Sequence, residues 1–309
     1  MSTTAVAYTA RRATILERMA DYLELTKPRI ATLVLVTVVV AAYIGNAGAP
    51  DGWLLVHTLL GTALVAASAS ALNQWWEQRT DLLMERTEKR PLPDGRLSSA
   101  EVLLFGIVTI TIGTIYLSVA VNVLTAALGL LTWLIYVWIY TPLKTLTPLN
   151  TLVGAIAGAL PVLMGWAAVG ASFNFGVVGE KAAALFLIVF LWQFPHFMAI
   201  AWIYRKQYGA AGMKMLPVVD PSGRRAGAQS VVSALMLLPV SIVPMALHAA
   251  GPIYFAGAIG LGLAYFVASC RFCLQPNDQT SRTLLRVSLV YLPALLLLMM
   301  FAPLPVSLN

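Results

Sequence analysis

Three oxygen-bearing side chains stand four residues apart at the end of an apolar segment: Asn73, Glu77 and Asp81. On an α-helix, residues at i, i+4 and i+8 drift by only about 40° per step and therefore share one face. One amide and two carboxylates form an oxygen-only set of the kind that Mg²⁺ takes, whereas zinc prefers histidine or cysteine. The spacing predicts a Mg²⁺ site at these three residues. The simpler alternative, in which the acids form ion pairs with nearby bases, stays open at this point.

Basic residues follow the acids directly. Arg86, Lys89 and Arg90 come within ten residues of Asp81, and Lys144 ends a later apolar segment. A metal ion and bases together neutralise a diphosphate and stabilise its departure, the step at which negative charge develops. We therefore expect these four bases to bind a diphosphate, with Lys144 and the three metal-site residues acting in catalysis.

The composition indicates the class of protein in which such a site must be built. Of 309 residues, 59% are hydrophobic and only 11% are charged, and apolar runs near 20 residues recur from end to end. These features predict an all-α, polytopic membrane protein and exclude an ordinary soluble domain. Cys270 and Cys273 have no second Cys or His pair, so no metal role is assigned to them.

Hydropathy and turn residues predict nine transmembrane helices. The predicted spans are 28–48, 53–77, 99–121, 123–141, 149–170, 182–204, 227–249, 252–271 and 284–303. With a cytosolic N-terminus, nineteen of the twenty Lys and Arg residues fall in internal segments and only Lys181 falls outside. The net charge of +7 is thus topological and does not indicate a nucleic-acid partner. The site residues above belong to the cytosolic face.

The predicted organisation has three parts: a cytosolic leader over 1–27, a membrane domain over 28–303 and a short external tail over 304–309. Two long polar loops, 78–98 and 205–226, face the cytosol and are expected to cap the site, because long loops on a compact scaffold are usually functional. The first loop is expected to contain a short helix closed by "RPLPDG". The second is expected to fold as a cap.

Four segments carry a resemblance to a known family. They are "LTKPR" (25–29), "NQWWEQRTDLLMERTEKRPLP" (73–93), "YTPLKTLTPLNTLVGAIAGALPVLMGW" (140–166) and "WQFPHFMAIAWIYRKQYGAAGMKMLPV" (192–218). These segments resemble the UbiA-type intramembrane prenyltransferases. "WQFPHF" and "AGMKMLPV" resemble the branch of that family that farnesylates haem.

The resemblance implies nine helices around a central cavity and a Mg²⁺-assisted loss of pyrophosphate from farnesyl diphosphate. It implies transfer of the farnesyl group to a vinyl group of haem b, followed by capture of the resulting cation by water. It also implies a cell inner membrane location, with membrane lipid around the chain. A homo-oligomer and a partner in haem A synthesis remain possible partners.

Individual roles follow from the matched positions. Asn73, Glu77 and Asp81 would form the first metal motif, with Glu77 where many relatives have Asp. The residues expected to bind diphosphate are Arg86, Lys89, Arg90, Lys144, Tyr140 and Lys206. Gln207 stands where the haem branch commonly has an acid, so a second Mg²⁺ is not expected, and Asp220 is the possible substitute ligand.

His196 is the candidate haem contact. It follows Pro195 inside the sixth predicted span, where the missing N–H of proline should kink the helix. A lone histidine in a transmembrane helix is more often a packing residue, but the "WQFPHF" resemblance favours contact with haem through iron or propionate. Trp192 and Gln193 of the same motif are assigned to the haem site with it.

Aromatic residues are abundant in the first half of the chain, and an isoprenoid cavity could use them to stabilise a carbocation. The aromatic candidates are Trp75, Trp76, Phe105, Tyr116, Trp133, Trp138 and Tyr140. Two other functions stay open: prenyl transfer to a quinone-precursor ring or chlorophyllide, and membrane transport. A transporter is expected to place ionisable groups near the bilayer midplane, whereas here they crowd one boundary.

Overall fold

The computed structural model describes residues 14–171, 173, 177–246 and 251–301. Residues 1–13 of the predicted leader and the predicted tail 304–309 therefore lie outside the described residues. The described residues form helices, turns and loops, without a strand.

Twelve helices occur among the described residues, and their order follows the chain. They are α1 (Ile15–Leu25), α2 (Pro28–Gly45), α3 (Gly52–Asp81), α4 (Ser99–Ala120), α5 (Val123–Leu146), α6 (Asn150–Ala168), α7 (Val177–Ile203), α8 (Arg205–Ala210), α9 (Leu216–Val219), α10 (Arg224–Ala246), α11 (Pro252–Leu274) and α12 (Asp278–Phe301). Nine of them are long and apolar enough to cross a membrane, which confirms the predicted number of spans among the described residues. The others are α1, α8 and α9.

The long helices form a closed ring. Neighbours along the chain pack on each other from α2 to α7, α7 also packs on α10 and α12, and α12 returns to α2. The backbones of α2 and α6 touch, because a Cβ atom on Gly165 would lie 2.2 Å from the carbonyl oxygen of Val38. Contacts between its two ends, α12 and α2, therefore close the bundle.

Helix α3 extends further than the predicted span 53–77. It begins after Asp51, whose carboxylate accepts the N–H of Leu54, and it continues without a break to Asp81. One face of the last turn of α3 is buried by protein, since Glu77 is 8% exposed and Asp81 is fully buried, whereas Arg79 on the other face is exposed. The predicted common face of the motif therefore lies on one continuous helix.

Helix α5 contains a π-helical stretch, Ile135–Tyr140, that the sequence pattern did not predict. Pro142 follows it and has no N–H to offer the carbonyl of Trp138, so the regular helical bond cannot form there. Thr141 instead donates both its N–H and its hydroxyl to the carbonyl of Tyr136. Such bulges often occur at functional sites, and this one ends at Tyr140, one helical turn before Lys144.

The loop after α3 differs from its prediction. Residues 82–98 form consecutive turns, so the expected short helix is wrong. A side-chain hydrogen bond and a tight turn replace helical hydrogen bonding there. The hydroxyl of Thr87 donates to the carbonyl of Asp81, and Gly95 adopts a left-handed φ of 75°. The second loop is folded, as expected, with α8 and α9 inside it. We call the end of the bundle that carries these two loops the loop face.

Candidate functional site

Three oxygen-bearing side chains lie together at the loop-face end of α3. Asn73 is 1% exposed, Glu77 8% and Asp81 0%. Their burial is unusual for polar side chains and requires partners. We call these residues and their basic partners the α3 cluster.

Each of the three side chains contacts a different base, and the bases come from three separate parts of the chain. The contacts are Lys27 Nζ to Asn73 Oδ1 at 2.8 Å, Lys144 Nζ to Glu77 Oε1 at 2.6 Å and Arg90 Nη1 to Asp81 Oδ2 at 2.7 Å. The cluster is also tied to α5, because the amide of Asn73 donates to the hydroxyl of Thr141 at 3.1 Å. The ion pairs that the simpler alternative requires are therefore present, and they are buried and concentrated at one place.

Lys27 is a member of the cluster that sequence reasoning missed. It caps α2 in a left-handed conformation, with φ 51° and ψ 62°, and directly precedes Pro28. Burial, with the positive charges of Arg90 and Lys144, lowers the pKa of Lys27 to about 7, against the opposing attraction of the two carboxylates. The other four charges of the cluster thus all act on Lys27. The quoted segment "LTKPR" contains this lysine, but nothing in its composition indicated contact with Asn73.

The cluster contains one unpaired acceptor. Asp81 Oδ1 is buried and has no hydrogen-bond partner among the described residues. A buried oxygen without a partner costs about 1–3 kcal/mol, so its presence calls for a ligand. Among the described residues there is no group of three or more His, Cys, Asp or Glu. The available donor set is therefore two carboxylates and an amide, which suits a hard cation such as Mg²⁺.

Arg86 joins the two loops of the loop face. Its guanidinium donates to the hydroxyl of Tyr208 at 3.2 Å and lies over the ring of Tyr204 at 4.7 Å. Its backbone N–H donates to Oε1 of Gln207 at 3.4 Å. Gln207, which stands where the haem branch commonly has an acid, thus contacts the loop that follows α3. Arg86 itself contacts neither acid of the α3 cluster.

Tyr140 lies beside the cluster. The ammonium group of Lys144 is 4.6 Å from the centre of its ring, an arrangement in which a cation is attracted to an aromatic face. A Cβ atom on Gly154 would meet this ring at 2.7 Å, so glycine allows the close approach of α6. Tyr140 therefore lies beside one base of the α3 cluster, Lys144.

Three further predicted residues lie apart. Lys89 and Lys206 are exposed, and within the described part of the chain neither side chain is tied to the α3 cluster by a hydrogen bond or ion pair. Asp220 caps α10: its carboxylate accepts bonds from Ser222 and from the N–H of Arg225. These bonds, that of the Ser222 hydroxyl first, lower the pKa of Asp220. Its oxygens are taken up locally, which gives no support to a metal role.

His196 lies on α7 in a defined environment. Its Nδ1 is 2.8 Å from Oγ of Ser288, and its ring stacks on Trp192 at 4.8 Å. The single hydroxyl proton of Ser288 is donated to the carbonyl of Leu285 at 2.6 Å. Since that proton is used, Nδ1 of His196 must be the donor to Ser288. The neutral ring therefore carries its free lone pair on Nε2, which suits a metal ligand or proton acceptor.

The neighbouring motif residues hold helices together. Trp192 Nε1 donates to the carbonyl of Ser288 at 2.8 Å, which fastens α7 to α12. The amide of Gln193 donates to the carbonyl of Ala155 at 2.9 Å, and its oxygen would clash with any Cβ on Gly158. Both side chains are buried and engaged with protein.

Helix α7 links His196 to the α3 cluster. Ala201 of α7 belongs to the same buried group as Met84, which comes three residues after Asp81. Five residues of helix span about 8 Å, so His196 lies roughly a turn and a half further into the bundle than this contact. The two candidate sites are thus on adjoining elements.

The aromatic candidates do not form one lining. Trp75, Trp76, Trp138 and Trp133 make a chain of ring contacts at 5.7–6.3 Å, in which Trp76 and Trp138 are exposed. The other members lie elsewhere: the hydroxyl of Tyr116 is 2.7 Å from His57, and Phe105 packs on Tyr22 of α1. Exposed tryptophans such as Trp76 and Trp138 are typical of anchors at the membrane–water interface.

Comparison with known proteins gives consistent results. The model of the UbiA prenyltransferase family matches residues 34–302. A protoheme IX farnesyltransferase of Solibacter usitatus is 42% identical over 292 residues, which cover 91% of this chain and 98% of that protein. The protoheme IX farnesyltransferase of Rhodopirellula baltica is 43% identical, covering 90% and 98%.

Solved structures share the fold at low identity. A digeranylgeranylglyceryl phosphate synthase superimposes with a TM-score of 0.77 at 16% identity, over 93% of this chain and 98% of that chain. A UbiA homologue from Archaeoglobus fulgidus bound to GPP and Mg²⁺ gives 0.64 at 19% identity, over 91% and 99%. These likenesses show a common helical architecture.

Proposed function

The chain belongs to the UbiA prenyltransferase family, and from this premise we propose that it transfers a farnesyl group from farnesyl diphosphate to haem b. The product would be the hydroxyethylfarnesyl haem, haem O, with release of diphosphate. The relatives at 42–43% identity are named for this reaction, which supports haem b over other acceptors.

The observation that carries the proposal is the convergence of Lys27, Arg90 and Lys144 on the oxygens of α3. With all three bases protonated, they exceed the two carboxylates by one positive charge in a buried place, and a bound anion favours the protonated form of Lys27, whose pKa is lowered to about 7. Such a place attracts an anion, and a diphosphate presents oxygens to several bases at once. Fixed charges contribute most where negative charge develops, which here is the departing diphosphate.

Magnesium fits the same place. Asn73, Glu77 and Asp81 would hold it, and the unpaired Oδ1 of Asp81 is an acceptor already available. Bound there, Mg²⁺ would supply the charge that neutralises the diphosphate oxygens. Lys144 and Arg90, which pair with these acids, would also contact the diphosphate oxygens. One such ion is proposed, because Gln207 is an amide and Asp220 is engaged in capping α10.

The bond changes follow from an allylic leaving group. The C1–O bond of farnesyl diphosphate breaks, and diphosphate keeps the electron pair. The π electrons of a haem vinyl group form the new carbon–carbon bond with C1 of the farnesyl cation. Water then adds to the cation on the other vinyl carbon and loses one proton. The ring of Tyr140, beside Lys144, offers an aromatic face to the allylic cation.

We assign haem contact to His196. Its tautomer leaves the lone pair of Nε2 free to bind the haem iron or to accept a hydrogen bond from a protonated propionate. Ser288 holds the ring in that tautomer. Trp192 and Gln193 act here by fixing α7 in place. Lys89, Arg86 and Lys206 are proposed to meet the diphosphate from the loops as it enters from the cytosolic side of the inner membrane.

A direct comparison of acceptors tests the proposal. Membranes containing the protein are incubated with labelled farnesyl diphosphate and haem b, a quinone-precursor ring or chlorophyllide. We expect label in haem b alone. Label in another acceptor, with none in haem b, would show that the protein prenylates a different molecule. That result would overturn the assignment of haem b as the acceptor.

A further inference from the structure

Helix α1 is an amphipathic helix with an uncovered apolar face. Its apolar residues Ile15, Leu16, Met19 and Leu23 are 61–80% exposed, and they fall within about 100° around the helix axis. The opposite side carries the buried residues Asp21 and Leu25. Thr14 and Glu17 form a capping box that fixes the start of the helix.

Ion pairs fasten the polar side of α1 to the rest of the loop face. Arg96, which ends the loop after α3, contacts Asp21 and also Glu24 at 3.1 Å. Arg18 contacts Glu101 of α4 and donates to the carbonyl of Arg96 at 2.7 Å. The orientation of α1 is therefore set by the protein, and its apolar face points outward because its polar face is held inward.

The apolar face of α1 is continuous with the lipid-facing wall of the bundle. Met19 and Leu23 line a groove of about 390 Å³ together with Phe105 of α4. The rings of Tyr22 and Phe105 are 5.3 Å apart, and Leu104, next along α4, is 63% exposed on a transmembrane helix. Helix α1 ends at Leu25 and the first span begins at Pro28, so α1 lies at the edge of the membrane domain.

We propose that α1 lies in the interface of the bilayer, with Ile15, Leu16, Met19 and Leu23 immersed among the lipid chains. Exposed apolar residues on a short helix beside a span are stabilised by burial in the outer part of the acyl region. The partner is the lipid surface itself, because the face runs onto a wall that lipid already covers. Through Arg96, this helix holds the loop that carries Arg90 at a fixed depth.

Spin labels measure this depth directly. Starting from the full chain with Cys270→Ala and Cys273→Ala, single cysteines are introduced at Met19 and Leu23 and labelled with a nitroxide. Reference labels stand at Ile112, exposed on the middle of α4, and at Glu88, exposed in the loop. The protein is placed in vesicles of phosphatidylethanolamine and phosphatidylglycerol. Collision with oxygen and with a water-soluble nickel complex is then compared.

We expect the labels at 19 and 23 to collide more with oxygen than with nickel, as the label at 112 does, and the label at 88 to show the reverse. Nickel accessibility at 19 and 23 equal to that at 88 would contradict lipid immersion. Spin–spin broadening at 19 and 23 that grows with the protein-to-lipid ratio would assign the face to a second copy instead. Neither result depends on which acceptor the enzyme uses.

Discussion

Lys27 is held in a backbone conformation that a lysine seldom adopts. A left-handed φ costs a side-chain-bearing residue about 1–2 kcal/mol, and such strain persists where surrounding structure requires it. The geometry directs the ammonium group at Asn73, where it meets the other charges of the α3 cluster. We therefore count Lys27 among the bases that receive diphosphate.

Replacing Lys27 by Met should weaken diphosphate binding. A hydrogen bond to a charged group contributes about 1.5–3 kcal/mol, which corresponds to roughly a tenfold to hundredfold rise in the inhibition constant of inorganic pyrophosphate. Lys27→Arg should keep most of the affinity. Arg282→Met, which removes an exposed base outside the cluster, is the control. An unchanged inhibition constant in Lys27→Met would remove this residue from the site.

Ser288 offers a second test, on the acceptor side. Ser288→Ala removes the acceptor that fixes Nδ1–H on His196, so both tautomers become available. We expect haem b affinity to fall about threefold to tenfold, the value of one hydrogen bond, with a shifted haem absorption band. The KM for farnesyl diphosphate should not change, and Ser288→Thr should restore the band.

His196→Ala is the reference for this series and should weaken haem binding further. If Ser288→Ala keeps the wild-type haem spectrum while His196→Ala loses it, then His196 contacts haem without being oriented by Ser288. Equal loss of haem and farnesyl diphosphate affinity in His196→Ala would instead point to misfolding of α7.

Spacing on one helix was enough to predict that three side chains of the α3 cluster share a face. Asn73, Glu77 and Asp81 could be grouped because a helix repeats every 3.6 residues. Lys27 could not, since it is 46 residues from Asn73 along the chain and nothing local connects them. In the same way, the hydrogen bond of His196 to Ser288 spans 92 residues and arises only from packing.

At the scale of helices and loops, the apolar segments were predicted well and their ends less well. Apolar runs define where a helix lies in lipid, but the last turn of α3 is polar and was assigned to a loop. Burial of Glu77 and Asp81 on one face of this turn accompanies its helical conformation to Asp81. The π-helical stretch in α5 was not predicted either. It precedes Pro142, which has no N–H to donate to the carbonyl of Trp138, so the regular helical hydrogen bond is missing there.

The contact between α2 and α6 gives a stability prediction. Gly165→Ala places a methyl group against the carbonyl of Val38, and the helices must separate. We expect a loss of about 1–3 kcal/mol, seen as a fall of several degrees in the thermal unfolding midpoint in detergent. Gly260→Ala in α11, where a Cβ meets nothing within 4 Å, should leave the midpoint unchanged or raise it.

Equal midpoints for the two alanine variants would show that the approach of α2 to α6 is not tight. The pair is matched in chemistry and helical setting, so intrinsic helix propensity cancels in the comparison.

At the scale of the whole molecule, the number of spans followed from composition, because nine apolar runs of membrane length leave few alternatives. The closing of the ring by α12 on α2 did not, since it depends on contacts between the two ends of the domain. The loops after α3 and α7 lie on one face because they follow the second and the sixth span, and Arg86 joins them there. The α3 cluster and His196 are therefore on adjoining elements.

The account rests on Asp81 and the α3 cluster, and mass spectrometry of haem from cells expressing the protein tests it most directly. Wild type should yield haem that carries a farnesyl group and added water. Asp81→Asn should yield none, because it removes a cluster charge without changing size. Asp51→Asn, at the opposite end of the same helix, keeps the N-cap and should match wild type. Farnesylated haem at the wild-type level in Asp81→Asn cells would contradict the account.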